Sequence, residues 1–292
     1  MGPPSSGGVH IIQMLNILKN YDLAAIGHNS SDYINLLTEV MKHAYADRSK
    51  YLGDPDFYDV PINKLTSKLY AESIVNKIEL GASSNSSNIL PGMYMDYESD
   101  ETTHFSVADK YGNVVSSTYT LNSAFGSGVV IQDTGILMNN EMDDFSAAPG
   151  IPNQFGLLGA KANEIVPFKR PLSSMTPTIV MKNNELFFTT GSPGGSRIIS
   201  AVLQSILNII DFEMNLQEAG DAPRIRHSSD DQPTGGKMLD GGTIYLESGF
   251  DYESIRELLK IGHKVGFDLG SFGGYQAIKT VSYTHLTLPT KA

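Results

Sequence analysis

The order of the predicted elements indicates an α+β fold in which helices and sheets stack in αββα layers. Amphipathic helices come first, two-strand hairpins follow, and a helix that is apolar over most of its surface comes after the hairpins. Helices and sheets with apolar faces bury them by packing in layers, which favours this architecture. With 292 residues, the chain can build a sizeable core in one or two domains.

Helices are predicted in three places before the first hairpin. Residues 9–18 carry apolar side chains at helical spacing. A second helix starts at Ser31, a suitable N-cap, and its apolar stripe continues to Ala44. Residues 69–78 also fit a helix. Residues 81–101 are rich in Ser and Asn, so we expect an exposed connector there, where a peptide bond is accessible to cleavage.

Two β-hairpins are predicted in the middle of the chain. The first pairs residues 104–108 with 114–120, and the second pairs residues 178–181 with 186–190. A helix over residues 197–210 follows them. Apolar residues cover so much of its surface that burial against a sheet is expected.

The composition narrows the class of protein. A net charge of −11 disfavours a nucleic-acid partner, which requires a basic surface. No apolar run reaches the roughly 20 residues of a membrane span. The chain has no cysteine, and therefore no disulfide, no thiolate zinc site and no cysteine nucleophile. Asp54 and Asp56 lack neighbours that would complete a cation site, so no metal is expected.

Thr102 stands at the start of the first hairpin, directly after the predicted connector. If the chain were cut before it, Thr102 would carry a free α-amino group next to its hydroxyl. Such an amine has a pKa of about 7.7–8.0 and can act as the base for its own nucleophile. The competing interpretation is an ordinary strand residue, because threonine favours strands.

This region resembles the processing-site signature of γ-glutamyltranspeptidases (glutathione hydrolases), and the resemblance covers about residues 3–279. It is carried by motifs in the family's order: PPSSGG at 3–8, YADR at 45–48, YLGDP at 51–55, TTHFSVADKYGNVVSSTYTLNSAFG at 102–126, NNEMDDF at 139–145, KRPLSSM at 169–175 and TGSPGGSR at 190–197. The resemblance implies a four-layer αββα sandwich of the Ntn-hydrolase type.

The same resemblance implies a function. Self-cleavage between Glu101 and Thr102 would give the C-terminal part of a large subunit, residues 1–101, and a small catalytic subunit, residues 102–280, which together form a heterodimer. Glutathione and other γ-glutamyl compounds would be the substrates, and water, amino acids or dipeptides the acceptors. No cofactor is implied. The family resemblance places such a protein in the periplasm or outside the cell.

Family position also assigns catalytic roles. Thr102 would be the nucleophile, and Thr120 would orient its amine and hydroxyl. Gly194 and Gly195 precede the helix over residues 197–210, and their backbone N–H groups would form an oxyanion hole. On pattern alone the glycine pair also fits a phosphate loop, although the Walker-type lysine is absent.

Five further residues would bind substrate in this resemblance. Glu141 and Asp144 would accept hydrogen bonds from the ammonium of the glutamyl group, which offers only donors. Asn122 would contact the α-carboxylate or the amine, and Ser173 and Ser174 would donate to the α-carboxylate. Without the resemblance, the pattern indicates only structural positions. Asn122 would lie on a paired strand face, Glu141 and Asp144 in a solvated acidic turn, and Ser173 and Ser174 in a turn or helix cap.

Other residues are assigned structural or peripheral roles. His104 is expected to be structural, because the α-amino group of Thr102 already supplies a base. Asp47 and Arg48 are interpreted as a helix-surface pair or a structural bridge. The Gly- and Pro-rich loop at residues 149–159 would be a lid in the family, and Phe155 stands where some bacterial members have a tyrosine.

Two alternative functions remain open from the sequence. A related Ntn acylase, acting on β-lactam side chains, would share Thr102 and the glycine pair but need not keep the ammonium and carboxylate contacts. A non-catalytic chain that folds only with a missing N-terminal portion belongs to a different class. Asp144, Ser173 and Ser174 together favour γ-glutamyl substrates over the acylase.

The two ends of the chain depart from the family pattern. The resemblance implies that the chain begins inside the large subunit, so that a leader and the family's carboxylate-binding arginine would lie upstream. A last helix is predicted at residues 255–261. Residues 281–292 match nothing in the family and are interpreted as a non-native tail.

Overall fold

The computed structural model describes residues 1–85, 89, 102–146, 148, 160–228, 242–267 and 272–280. Within these residues the chain forms eight α-helices and eight β-strands. The helices are α1 (Gly7–Leu18), α2 (Leu23–Ile26), α3 (Ser31–Tyr51), α4 (Ile62–Leu65), α5 (Lys68–Val75), α6 (Arg197–Ile210), α7 (Leu216–Asp221) and α8 (Tyr252–Lys260). The strands are β1 (Thr103–Ala108), β2 (Val114–Tyr119), β3 (Thr178–Lys182), β4 (Glu185–Gly191), β5 (Ile225–Ser228), β6 (Thr243–Leu246), β7 (Lys264–Phe267) and β8 (Gln276–Lys279).

The described strands form three sheets. Strands β1 and β2 make an antiparallel hairpin, and β4 lies between β3 and β8, antiparallel to both. The third sheet has the order β5-β6-β7, in which β6 and β7 run parallel. This parallel pair is joined through α8, as a parallel connection requires a crossover.

Strand β4 lies between a helical layer and the β1–β2 hairpin. Phe188 of β4 is fully buried in the core that α1, α3 and α6 share. Thr189, the next residue, points to the opposite face, and its Oγ1 lies 3.4 Å from Ser106 Oγ of β1. Ser116 Oγ of β2 donates to the Thr190 carbonyl at 3.3 Å. The order is therefore helices, sheet, hairpin, which supplies three successive layers of the predicted αββα arrangement.

Helix α6 is the central element of the core. It spans the residues predicted from the sequence, and every residue except Ile210 is buried. The expected burial against a sheet is confirmed, since the helix packs on β4. Burying one of its Val, Leu or Ile side chains stabilises the fold by about 1.5–3 kcal/mol relative to leaving that side chain exposed. The layer that supports β4 is therefore rigid.

Several boundaries differ from those predicted. The N-cap of α3 is Ser30, whose side chain accepts the backbone N–H of Tyr33 at 3.2 Å, and Ser31 is the first helical residue. The helix also continues past Ala44 to Tyr51. The predicted lid loop at 149–159, most of the connector and the tail at 281–292 lie outside the described residues.

Asp54 forms an ion pair that ties the segment after α3 to the loop before β3. Its carboxylate is fully buried and accepts Arg170 Nη2 at 2.6 Å, Arg170 Nε at 2.9 Å and the Arg170 backbone N–H at 2.8 Å. Hydrogen bonds from Arg170 hold the pKa of Asp54 well below its usual range. Asp56, which is exposed, accepts the same guanidinium at 2.6 Å.

We expect Asp54→Asn to lower the free energy of unfolding at pH 7 by about 1–3 kcal/mol, because a fully buried carboxylate loses its charge-assisted hydrogen bonds to Arg170. Asp56→Asn is the matched control and should cost less than about 1 kcal/mol, because that pair is exposed. The folded-state pKa of Asp54 is depressed, so its stabilisation is present above the unfolded value of 3.8 and is lost as the pH falls further. Urea unfolding of both variants at pH 7 and pH 3 measures this; equal losses at pH 7 would contradict it.

Candidate active site

The register of the β1–β2 hairpin sets Thr102 opposite Thr120. Thr103 pairs with Tyr119 and His104 pairs with Thr118, so the next antiparallel position joins Thr102 and Thr120. Side chains alternate along a strand, and Thr102 therefore lies on the same face as His104. That face is the inner one, because Thr102 and His104 are only 9% and 5% exposed. The two predicted threonines thus come together at the open end of the hairpin.

The inner face of β1, which carries Thr102, packs on β4, the strand that leads to the glycine pair. Ser106 lies against Thr189, and the His104 ring covers Gly191 so closely that a Cβ there would sit 2.1 Å from the ring. The two strands run in opposite directions at this contact. If this progression continues, Thr102 would lie near the segment that follows Gly191, which contains Gly194 and Gly195.

Gly194 and Gly195 form a turn that leads into α6. Their φ angles are +119° and +55°, which lie in the region that favours glycine. Their carbonyls accept the N–H groups of Arg197 and Ile198 at 3.0 and 3.2 Å, so the turn joins the helix directly. Backbone N–H groups at the start of a helix carry partial positive charge and suit a developing oxyanion.

The residues after β2 reach the acidic turn. Thr120 Oγ1 accepts the backbone N–H of Asn122 at 2.9 Å, which holds Asn122 in the left-handed region at φ 77°. The Asn122 side-chain amide donates to the carbonyl of Asn140 at 3.4 Å, and Asn122 opposes the rise in the pKa of Asp144 that burial causes. Thr120 and Asn122 are therefore joined by a hydrogen bond, and Asn122 interacts with the Asp144 carboxyl.

Glu141 and Asp144 occupy one 3₁₀ turn, Glu141–Asp144. Burial, followed by the nearby charges of Glu141 and Asp143, raises the pKa of Asp144 to about 7 against the opposing effects of Arg48 and Asn122. Burial also raises the pKa of Glu141. Two carboxylates in one partly buried turn repel each other, and a bound cation would relieve that repulsion. The turn is thus suited to an ammonium group.

Ser174 is joined to α3 rather than to its own loop. Its Oγ accepts Arg48 Nη2 at 2.8 Å, and Arg48 Nε donates to Ser6 Oγ at 3.0 Å. Ser173 lies differently: its Oγ accepts the backbone N–H of Met175 at 3.1 Å, and its carbonyl accepts from Ser6. The two adjacent serines are therefore not equivalent, and Ser174 is the one connected to the charged groups.

Asn163 connects the acidic turn to the serine loop. Its amide donates to the Asp144 carbonyl at 2.8 Å, and its Oδ1 accepts the backbone N–H of Leu172 at 2.9 Å. Asn163 is 5% exposed, so both bonds are shielded from water. No pattern in the sequence singles out Asn163, because its two partners lie in segments that only the fold brings together.

The interpretation of Arg48 as a helix-surface partner of Asp47 is wrong. Arg48 and Asp47 are 4% and 5% exposed and take different partners, since Asp47 accepts from Gln13 and Tyr70. Arg48 instead reaches the site through Ser174. A signal for this was present in the sequence, because helical spacing continues the buried stripe of Leu37, Met41 and Ala44 to position 48.

His104 occupies a structural position, as its sequence context suggested. Its Nδ1 lies 2.7 Å from Thr118 Oγ1 and its Nε2 lies 3.2 Å from Ser106 Oγ. Burial lowers the pKa of His104 to about 4, so the ring is neutral at physiological pH. Both ring nitrogens are engaged within the hairpin, which leaves the ring to hold β1 against β2.

The described residues contain no group of three or more His, Cys, Asp or Glu side chains placed to hold a metal ion. Asp54 and Asp56 are occupied by Arg170. Across the same described ranges, no helix has the length and apolar character needed to cross a membrane.

The layers and the site define an Ntn-hydrolase fold, and solved structures agree. A cephalosporin acylase from Bacillus halodurans superimposes with a TM-score of 0.79 at 26% identity, over 100% of this chain and 48% of that one. A gamma-glutamyltranspeptidase variant from Helicobacter pylori gives a TM-score of 0.57 at 45% identity, over 64% of this chain and 97% of that one. The fold is therefore α+β of the Ntn-hydrolase type.

The chain belongs to the gamma-glutamyltranspeptidase family, whose family model matches residues 1–288. This match extends into residues 281–288, so the interpretation of the whole segment 281–292 as matching nothing in the family is wrong for those residues. The glutathione hydrolase proenzyme of Escherichia coli (strain K12) is 51% identical over 265 residues. That match covers 91% of this chain and 44% of the relative, so the chain spans less than half the length of that protein. The resemblance carried by the sequence motifs is confirmed at the level of family.

Proposed function

We propose that this chain carries the self-processing and catalytic machinery of a γ-glutamyl hydrolase and transferase. The observation that carries the proposal is the hairpin register, which sets Thr102 opposite Thr120 on the face that leads to Gly194 and Gly195. The acidic turn and Ser174 lie within one hydrogen-bonded and electrostatic group beside it. The similarity to glutathione hydrolase proenzymes supports the same assignment.

The proposed processing step makes Thr102 a chain terminus. The Thr102 hydroxyl attacks the carbonyl carbon of Glu101, and the acyl group moves from nitrogen to oxygen to form an ester. Water then opens the ester, which leaves a carboxylate on residue 101 and a free α-amine on Thr102. Residues 1–101 and 102–280 would become the large-subunit end and the small subunit of a heterodimer. Glu101 itself lies outside the described residues.

In turnover, the α-amine of Thr102 takes the proton of its own hydroxyl. The oxygen attacks the γ-carbonyl of a γ-glutamyl amide, and the backbone N–H groups at Gly194 and Gly195 hydrogen-bond the oxyanion. The leaving amine receives the proton as the acyl-enzyme forms. Water or an amino acid or dipeptide amine then accepts the γ-glutamyl group. Thr120 orients the Thr102 amine and hydroxyl throughout.

Recognition of the glutamyl group uses its two charged ends. Asp144 and Glu141 would accept hydrogen bonds from the ammonium, and binding of this cation would offset their mutual repulsion. Ser174 and Ser173 would donate to the α-carboxylate, and Asn122, which interacts with the Asp144 carboxyl, would lie between the two ends. No cofactor takes part in this scheme. A periplasmic or extracellular location remains part of the proposal.

A comparison of substrates tests this function against the main alternative. The alternative is the activity of a related acylase, which the similarity to a cephalosporin acylase supports. We expect hydrolysis of a γ-glutamyl anilide and little or no hydrolysis of the glutaryl anilide, which lacks the ammonium. Equal rates on both would favour the acylase. A chain without cooperative unfolding by circular dichroism would favour a non-catalytic fragment that needs a further portion to fold.

We expect Asp144→Asn to raise KM for a γ-glutamyl anilide about 100-fold, because the ammonium loses a partly buried charged partner. Asp144 and the Thr102 amine must both be deprotonated, and their pKa values are about 7 and about 7.7–8.0. Below pH 7, log kcat/KM of the parent should therefore fall with a slope near two, and that of the variant with a slope near one.

The control for this substitution is Asp143→Asn, which removes a neighbouring carboxylate from the same turn. Its KM should stay within about threefold of the parent, since Asp144 keeps its charge. Initial rates over a pH series give both quantities. Equal increases in KM for the two variants, or an unchanged slope in Asp144→Asn, would contradict the assignment of Asp144.

A further inference from the structure

Arg48 is a buried cation with neutral hydrogen-bond partners. Its side chain donates to Ser6 Oγ at 3.0 Å and to Ser174 Oγ at 2.8 Å, and the residue is 4% exposed. In the part of the chain that the structure describes, no carboxylate lies within 4.0 Å of its guanidinium. Burying a charge without a counter-ion is expensive, so Arg48 is poorly explained as a structural element alone.

The position of Arg48 couples it to both ends of the proposed ligand. Ser174 Oγ accepts the Arg48 hydrogen bond, so the hydroxyl proton of Ser174 must point elsewhere and is available to a ligand oxygen. Arg48 also opposes the rise in the pKa of Asp144 that burial and Glu141 cause. One guanidinium thus acts on a hydroxyl donor and on a carboxylate acceptor.

We propose that Arg48 is the positioning residue for amino-acid recognition: through its hydrogen bond to Ser174 Oγ it aims the Ser174 hydroxyl at the ligand carboxylate, and its buried charge favours the Asp144 carboxylate that receives the ligand ammonium. This inference rests on the proposed function for the identity of the ligand. The effect of Arg48 on Asp144 and Ser174 does not depend on a bound ligand, so it can be measured without turnover.

The charged groups around Asp144 come from two elements. Arg48 acts from α3, while Glu141 and Asp143 act from the same 3₁₀ turn as Asp144. His10 faces Arg48 from α1, but burial lowers its pKa to about 3, so it is neutral over the range that matters. Arg48 is therefore the cation that offsets Glu141 and Asp143 at Asp144.

The direct test is the titration of the Asp144 carboxyl in the full chain, followed by ¹³C NMR of labelled aspartate. The signal is assigned by its loss in Asp144→Asn. We expect an apparent pKa near 7 in the parent and a rise of about one pH unit or more in Arg48→Gln, because a nearby opposite charge normally lowers a carboxyl pKa by about 1–3 units. Lys50→Gln, an exposed charge removal on the same helix, should leave the titration unchanged.

Kinetics separate positioning from folding. Arg48→Gln should raise KM for a γ-glutamyl anilide at least tenfold and shift the acid limb of kcat/KM to higher pH, while kcat changes less than KM. Arg48→Lys keeps the charge but loses the planar fork. Its Asp144 titration should therefore match that of the parent, while its KM should lie between those of the parent and Arg48→Gln. If Arg48→Gln does not fold, the KM of Arg48→Lys carries the test, because loss of the planar fork should raise it even though the charge is kept.

The outcomes are distinct for the two proposals. An Asp144 titration that is the same in the parent and Arg48→Gln, or the same KM in the parent and Arg48→Lys, overturns the role of Arg48. A parent chain that hydrolyses no γ-glutamyl anilide counts against the proposed function of this chain. In that case the Asp144 titration still decides whether Arg48 controls the carboxylate.

Discussion

Replacing Thr102 with alanine is expected to abolish hydrolysis of γ-glutamyl anilides and the cleavage of the chain before residue 102. The hydroxyl is the attacking group in both reactions, and no neighbouring side chain on the inner face of β1 replaces it, because His104 is neutral and bonded within the hairpin. Removing a catalytic nucleophile of this kind costs on the order of 10⁶-fold in kcat. Continuous release of the chromophore from the anilide measures the loss.

Thr103→Ala is the matched control for this experiment. Thr103 is the adjacent residue, but it is exposed and lies on the outer face of β1. Its removal should leave both cleavage and hydrolysis within about threefold of the parent, as is normal for a surface substitution. Cleavage that persists in Thr102→Ala, or an equal loss of activity in Thr103→Ala, would refute the assignment of the nucleophile.

Gly194→Ala should have the next largest effect, with kcat lower by about 100- to 1000-fold, the usual loss when an oxyanion hole is disrupted. A side chain at φ +119° is strained, and its Cβ would lie 3.3 Å from Gly273 Cα. The turn must then shift, which redirects the N–H groups at the start of α6. Self-cleavage should slow as well, since processing forms an oxyanion at the same place.

Gly249→Ala separates this effect from general strain. Gly249 has φ +115°, and a Cβ there would meet Pro223 Cγ at an ordinary 3.5 Å. Both variants should lose about 1–2 kcal/mol of stability from the left-handed conformation. Only Gly194→Ala should lose kcat, while KM for the anilide stays within about threefold in both. Comparable kcat values in the two variants would exclude the oxyanion role.

The sequence predicts the elements whose signals are local. Helix α6 and both predicted hairpins are found within one or two residues of the expected positions, because apolar periodicity and turn residues act over short ranges. The turn at Asn183 and Asn184 has φ values of 53° and 68°, which asparagine tolerates. Such elements are specified largely by their own residues.

The short strands β5 to β8 escape prediction for a physical reason. Each has four residues, too few to show a reliable alternation. Their order depends on partners far along the chain, as when β8 pairs with β4 through Ile278 and Thr189. Ala277 of β8 and Ile244 of β6 are both buried, so tertiary packing determines the conformation of these strands.

In the candidate site too, some features can be predicted from the sequence and others depend on the fold. Motif order was enough to select Thr120, Asn122, Asp144 and Ser174, and the structure joins these residues by direct bonds or through Arg48. The roles themselves remain predictions. What motif order does not give is the asymmetry between Ser173 and Ser174, since it depends on α3 reaching the serine loop through Arg48.

The intact mass of the purified parent chain, measured beside that of Thr102→Ala, tests the central claim most directly. A self-processing nucleophile predicts two polypeptides of 101 and 191 residues from the parent and one polypeptide of 292 residues from the variant. An uncut parent chain, or the same two pieces from Thr102→Ala, would contradict self-cleavage by Thr102 in this chain.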